Sequence, residues 1–236
     1  MLDLIGAIVG MSAVGVNLVA FTHTLPGTLA RRLSLGAIAG AWVGLASGLG
    51  AAGKLAFGPG PVPLIGVLFA VPLLAVGMLA LGSARVRSAL LGIPLSLLIG
   101  LHSLRLLGVL FLLLAVSGRL SGPFPYFAGF GDIITGAFAI PLALSLARAQ
   151  PPSAAIVRNW NIFGTLDLLV AVGLGITSAS GSPLQLIHVG VGSEAMQYLP
   201  YCLVPTVLVP FYLITHAIVF AQLAASPRTT PALSHV

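Results

Sequence analysis

Seven runs of apolar residues, separated by short polar breaks, follow one another along the whole chain. Each run approaches the ~20 residues that a helix needs to cross the hydrocarbon core of a bilayer. Backbone groups in lipid must bond within their own segment, so such runs fold as helices. The sequence therefore predicts an all-α integral membrane protein, a seven-transmembrane-helix bundle in one domain over 1–225, with a short cytoplasmic tail at 226–236. The predicted helices cover 4–21, 33–53, 61–81, 92–117, 128–147, 160–179 and 203–225.

The composition excludes an ordinary soluble domain. Charged residues make up 6% of the chain, against about 25% in an average soluble protein. The net charge is +6, but the basic residues are scattered singly or in pairs. They form no stripe, so the lipid bilayer is an expected partner and nucleic acid is not. A single cysteine, Cys202, excludes an internal disulfide and a cysteine-cluster metal site, and no metal is predicted.

The distribution of basic residues predicts the orientation of the bundle. Alternate breaks and the tail hold most of the arginines: Arg31, Arg32, Arg85, Arg87, Arg148, Arg158 and Arg228. The opposite breaks hold Lys54 and Arg119, and Asp3 and Glu194 lie on that same side. Because cytoplasmic loops carry the excess of Lys and Arg, the N-terminus is predicted outside and the C-terminus in the cytoplasm. The use of arginine in place of lysine suggests a bacterial source, and hence a multi-pass protein of the plasma (inner) membrane.

The predicted outer face carries the two longest connections, 118–127 and 180–202. The first is rich in aromatic residues and proline and includes Tyr126, and the second includes Glu194. Long loops often form lids or binding loops, whereas interfacial aromatic residues also anchor helix ends. Both interpretations stay open. Asp132 lies at the start of the fifth predicted helix, where it either caps free N–H groups or faces an outer vestibule with Tyr126 and Glu194.

The second predicted helix carries an unbroken four-residue glycine repeat, Gly36, Gly40, Gly44 and Gly48. Glycines at this spacing form one bare ridge against which another helix backbone can pack closely. We expect this glycine ridge to pack inside the monomer, with a homo-oligomer contact as the alternative.

A set of polar residues lies deep inside the apolar runs. An arginine within the bilayer, such as Arg105, requires a partner, and Asp167 lies at a similar predicted depth in another run. His102 shares a helix face with Arg105, and His216, on one face with Tyr212, reaches the same depth. We therefore predict an Arg105–Asp167 ion pair completed by a histidine. This pair is either a structural contact that orients two helices or a functional site.

These residues support four functional hypotheses. The leading one is a transporter or binder of a small polar or anionic ligand, in which Arg105 attracts the ligand and Asp167 and His216 either relay a proton or balance the ligand's charge. The second is a haem-binding redox protein with His102 and His216 as axial ligands. The third is an intramembrane enzyme for a lipid or isoprenoid, with Asp132 or Asp167 as the acid and a histidine as the base. The fourth is a sensor or assembly partner that uses the glycine ridge.

Overall fold

The computed structural model describes residues 1–58, 63–148 and 152–225. Within these ranges the chain forms helices and no strands, and seven spans are long and apolar enough to cross a membrane. The α-helices are α1 (Leu2–Thr24), α2 (Leu29–Ala51), α3 (Leu64–Gly82), α4 (Ala84–Leu91), α5 (Leu95–Leu101), α6 (Val109–Val116), α7 (Phe124–Leu146), α8 (Ala154–Ser178) and α9 (Val209–Ala225). A 3-10 stretch, His102–Gly108, joins α5 and α6 into the fourth span, and a π-helical turn, Val204–Leu208, joins α9 to form the seventh.

Several helix boundaries differ from those predicted. Helix α7 begins at Phe124, four residues earlier than expected, because a proline in the first turn of a helix needs no backbone N–H and Pro125 occupies that turn. Helix α8 begins at Ala154, so Arg158 is helical and not part of a connection; the Ser153 hydroxyl accepts from the N–H of Ile156 and caps it. The break after α3 forms the extra helix α4. The tail 226–236 with Arg228, and residues 61 and 62 of the third predicted helix, lie outside the described residues.

The distribution of buried and exposed side chains fits a membrane bundle. Large apolar side chains point outward, and Met78 and Phe138 are 66% and 64% exposed. Polar side chains are buried at the centre instead: Asn17, His102, Arg105, Thr135, Asn161, Thr206, Thr215 and His216. Apolar surface facing outward and polar groups paired inside is the arrangement that a bilayer requires. The protein is accordingly a polytopic membrane protein.

The backbones of α7 and the 3-10 stretch of the fourth span lie very close together at two glycines. A Cβ on Gly136 would lie 2.7 Å from the backbone nitrogen of Leu106, and one on Gly108 would lie 2.8 Å from the carbonyl oxygen of Gly129. Only glycine allows the two backbones to pack this closely. These contacts bring the middle of the fourth span directly against α7.

The glycine ridge of α2 packs against nothing in the described part of the chain. A Cβ placed on Gly36, Gly40, Gly44 or Gly48 would meet no atom within 4 Å. The prediction that this ridge packs inside the monomer is therefore wrong for the described residues. Small residues are needed where two backbones meet, and here α7 and the fourth span supply them. The homo-oligomer contact stays a prediction.

The loop end of the bundle comprises residues 52–58, 117–123 and 179–203. The long connection folds back over the helix ends: the Tyr201 hydroxyl donates to the Leu2 carbonyl oxygen (3.0 Å), and the Gln197 Oε1 accepts from the Phe57 N–H (2.9 Å). Asp3 and Arg119 form an exposed ion pair at this end, 2.5 Å apart. Both residues therefore lie on one side, as expected, while the side of the membrane that this end faces stays a prediction.

Candidate functional site

The guanidinium group of Arg105, in a residue that is 2% exposed, uses all three of its nitrogens at the centre of the bundle. Nε donates to Oδ1 of Asp132 at 2.6 Å, and Nη2 donates to Oδ2 of Asp167. Nη1 donates to the carbonyl oxygen of Gly164 and also lies 3.2 Å from Nε2 of His216. One arginine thus joins the fourth span, α7, α8 and α9. We call Arg105, Asp132, Asp167 and His216 the Arg105 cluster.

Glycines in the surrounding helices provide the space for this cluster. A Cβ on Gly131 would overlap the carboxylate of Asp167, and a Cβ on Gly164 would lie 2.7 Å from the His216 ring. The absence of a side chain at Gly164 also lets Arg105 reach its carbonyl oxygen, at 3.2 Å. The local sequence therefore makes room for the charged groups as well as supplying them.

The hydrogen bonds of Asn161 fix the tautomer of His216. The Asn161 Nδ2 donates to the His216 backbone carbonyl (3.1 Å), which only accepts, so the amide oxygen must face the His216 ring. That oxygen lies 2.7 Å from Nδ1 of His216, so Nδ1 carries the hydrogen. Nε2 then presents a lone pair to the Arg105 guanidinium, and His216 is neutral.

His102 adopts the opposite tautomer by the same reasoning. The Thr215 hydroxyl donates to the Tyr212 carbonyl oxygen (2.8 Å), so its oxygen accepts from Nε2–H of His102 (2.9 Å). Nδ1 of His102 is then an unprotonated acceptor, and it has no hydrogen-bond partner among the described residues. The ring instead packs against the His216 ring, with centroids 4.2 Å apart, and against Trp160.

The charges in the Arg105 cluster do not balance. One guanidinium faces two carboxylates, and His216 is neutral, so the cluster has a formal charge of −1 when both acids are ionised. An uncompensated charge away from water is costly. The arrangement therefore stabilises one additional positive charge, either a proton or a cationic group.

Two cavities border the cluster at Asp132. The larger, about 120 Å³, extends from Asp132 towards the loop end, and the smaller, about 60 Å³, is also lined by Arg105 and Tyr212. The Asp132 side chain is 17% exposed. The cluster is therefore adjacent to internal space that a small molecule can occupy.

The structure brings together most of the residues that the sequence singled out. Arg105, Asp167 and His216 are in direct contact. His102 contacts His216 through its ring, and the Tyr212 ring lies 5.8 Å from the guanidinium carbon of Arg105.

The expectation that Asp132 caps a helix is wrong. Because α7 begins at Phe124, Asp132 lies in its third turn and pairs with Arg105. The other two residues of the predicted vestibule lie elsewhere. Tyr126 is 51% exposed, Glu194 lies in a 3-10 turn (Glu194–Gln197) at the loop end, and neither lines the cavities described at Asp132.

The residues predicted from the sequence for this site did not include Asn161, Thr215 or Gly164. Asn161 precedes Gly164 by three residues and Asp167 by six, so all three lie near one face of α8. Thr215 directly precedes His216. The sequence offered one signal for these partners: each lies close, along its helix, to a residue that the sequence analysis had already singled out.

Haem ligation by His102 and His216 stays a prediction that this geometry does not support. Three of the four ring nitrogens already lie in hydrogen bonds, to Thr215, Arg105 and Asn161. In the described residues, no group of three or more His, Cys, Asp or Glu side chains could hold a metal ion. The intramembrane enzyme also stays a prediction, since both of its candidate acids pair with Arg105.

The fold and the site together define a polytopic membrane protein with a buried Arg/Asp/His cluster. The chain belongs to the family described as a domain of unknown function (DUF8737), whose model matches residues 62–224. The matched region contains every residue of the Arg105 cluster and leaves α1 and α2 outside it. No curated protein and no solved structure matches the chain.

Proposed function

We propose that this protein binds a small polar ligand at the Arg105 cluster and transports it across the membrane in exchange with a proton. The observation that carries the proposal is the pairing of one buried guanidinium with two carboxylates. The membrane is taken to be the plasma (inner) membrane of a bacterium, with the N-terminus outside, so that the loop end faces the exterior.

The charge of the cluster supports coupling between ligand and proton. With both acids ionised, a proton or a hydrogen-bond-donating cation neutralises the site. The two occupants compete because each supplies the same missing charge, and one then displaces the other. Exchange of a ligand for a proton requires at least that the two compete for one site.

The same geometry favours a cationic ligand over the anionic one that Arg105 alone suggested. All three guanidinium nitrogens already donate, two of them to carboxylates. An anion would either bind the one guanidinium N–H that has no partner among the described residues or displace Asp132 or Asp167 from Arg105, and in both cases it adds a further negative charge. Breaking a buried ion pair costs about 3–5 kcal/mol, so the anionic ligand is disfavoured.

A purely structural role is the competing explanation. A contact that only orients helices needs one acid for one arginine, whereas this cluster holds a second acid that borders two cavities. The surplus acid and its access to internal space are the features that a structural contact leaves unexplained.

Solute analysis of cells tests the proposal. Small polar solutes are measured by mass spectrometry inside and outside cells that express the wild type, Asp132→Asn, Asp167→Asn or Ser12→Ala. Ser12 is exposed and bonds only within α1, so its variant is the matched control. In cells that express the wild type, we expect the distribution of certain solutes to depend on the pH gradient. Ser12→Ala should retain this dependence, and both Asp→Asn variants should lose it. Unchanged distributions in folded Asp→Asn variants would contradict the proposal.

A further inference from the structure

The larger cavity has an apolar body and polar groups near its two ends. It lies between α3, α7, α8 and the seventh span, and aliphatic and aromatic side chains form most of its wall. Asp132 lies at the inner end, while Ser193 and Gln197 belong to the connection at the loop end. Asp132 follows Phe124, the first residue of α7, by eight residues, which corresponds to about 12 Å along a helix.

Asp132 and Gln197 line this cavity, and each has a side-chain atom without a hydrogen-bond partner among the described residues. The Asp132 carboxylate uses Oδ1 for Arg105, and within the described ranges no group donates to its Oδ2. Gln197 is 4% exposed and uses Oε1 for the Phe57 N–H, while its Nε2 has no acceptor among the described residues. Buried polar groups are rarely left unsatisfied. The Asp132 acceptor at the inner end, on a side chain that is 17% exposed, is therefore open to a ligand, and a buried donor lies at the loop end.

We propose that the cavity binds an elongated amphiphile with an amine at its inner end, an apolar body of about 12 Å and a hydrogen-bond acceptor near Gln197. The ammonium group bonds to Oδ2 of Asp132 and supplies the positive charge that the Arg105 cluster lacks. The apolar body fills the space lined by residues such as Phe69, Leu168 and Val172. This inference rests on the proposed function: it identifies the polar group of the ligand as an amine and extends the ligand from a small polar molecule to an amphiphile.

The walls of the cavity indicate that the amphiphile enters from the bilayer. Gly66 of α3 lines the cavity and is itself exposed, and a Cβ there would meet no atom within 4 Å. The half-buried Val172 and Ile176 of α8 line it as well. An apolar passage beside α3 suits a molecule that already partitions into lipid, because its alkyl body never has to cross water.

Binding of radiolabelled n-octylamine to the full-length protein in lipid nanodiscs tests the inference, with empty nanodiscs subtracted. We expect saturable binding, at least about tenfold tighter than that of n-octanol, since the ammonium adds the positive charge that the cluster lacks whereas the hydroxyl of n-octanol supplies only a hydrogen bond. Asp132→Asn should remove this preference for the amine. Non-saturable binding, or equal affinity for octanol and octylamine, would overturn the inference.

Two glycines of α8 provide a matched pair for the location of the site. Gly175 lines the cavity, where a Cβ would make ordinary contact with Phe124 at 3.5 Å, whereas Gly173 is exposed and meets nothing within 4 Å. Gly175→Leu should weaken octylamine binding at least about tenfold by filling the cavity, and Gly173→Leu should bind like the wild type. If Gly175→Leu fails to fold, Ala171→Phe fills the same space. Equal binding by the cavity variant and Gly173→Leu would overturn the inference.

The outcomes separate this inference from the proposed function. If solute distribution still depends on the pH gradient and on Asp132 while octylamine does not bind, the amphiphile is wrong and the proposed function stands. If neither is observed with folded protein, both fail.

Discussion

Nε of Arg105 lies 2.6 Å from Oδ1 of Asp132, which ties the 3-10 stretch of the fourth span to the third turn of α7. Asp167 approaches the same guanidinium from α8. Two carboxylates on separate helices therefore depend on one cation. Removing that cation leaves two adjacent acids unpaired inside the membrane.

Arg105→Met should lower the free energy of unfolding by about 3–5 kcal/mol, because it leaves buried carboxylates without a partner. The triple variant Arg105→Met, Asp132→Asn, Asp167→Asn removes the charges together and should recover much of that loss. Thermal unfolding in detergent, followed by circular dichroism, measures both. A triple variant no more stable than Arg105→Met would show that the charges are not the cause.

The close approach of α7 to the fourth span predicts a different result for two Gly→Ala changes. Gly136→Ala places a methyl group 2.7 Å from the backbone nitrogen of Leu106 and should destabilise by about 1–3 kcal/mol through overpacking. Gly44→Ala is the control: it enters open space and should be neutral or stabilising by up to about 1 kcal/mol through helix propensity. The same unfolding assay applies. Destabilisation by Gly44→Ala alone would place the close helix contact on the glycine ridge instead.

The two buried histidines should show opposite tautomers. Asn161 places the hydrogen of His216 on Nδ1, and Thr215 places that of His102 on Nε2. Solid-state NMR of protein labelled with nitrogen-15 histidine and reconstituted in lipid distinguishes the two forms. His216→Gln and His102→Gln assign the signals by subtraction. A hydrogen on Nε2 of His216 would mean that it cannot accept from Arg105.

The positive-inside rule predicts which end of the bundle is exposed to the medium. Lys54 and Arg85 are exposed, and since one follows α2 and the other follows α3 they lie at opposite ends. In a Cys202→Ala background, Lys54→Cys should react with a membrane-impermeant maleimide on intact cells. Arg85→Cys should react only after permeabilisation. The reverse pattern would invert the proposed orientation, so that the loop end would face the cytoplasm.

The sequence predicted the parts of this structure that depend on length, hydrophobicity and depth. Arg105, Asp167 and His216 meet because unpaired charge in lipid is costly and three helices place these groups at one level. Asp132 was placed at the start of a helix and not in the cluster, because Pro125 was interpreted as part of a loop and the start of α7 was therefore placed four residues too late. A change of about one helical turn shifts a residue by roughly 5 Å in depth, enough to turn a cluster member into a helix cap.

Helix pairing was the other part that the sequence could not supply. The regular repeat in α2 was the more conspicuous glycine pattern, yet Gly129 and Gly136 of α7 make the close contacts. Spacing identifies a bare face but not the helix that packs on it. The hydrogen-bond partners of His102 and His216 depend on which helices pack together, and the tautomers of the two histidines depend on those partners.

The surplus carboxylate is what distinguishes the Arg105 cluster from a balanced ion pair, and infrared spectroscopy of the protein in lipid at neutral pH detects it. In the absence of ligand, one of the two acids should carry a proton and give the carbonyl stretching band of a carboxylic acid shielded from water. Either Asp132→Asn or Asp167→Asn should remove that band, since one remaining acid balances Arg105, while Asp3→Asn, at the exposed pair with Arg119, should leave it intact. A wild type without this band, in which both acids stay ionised with no cation bound, would contradict the account.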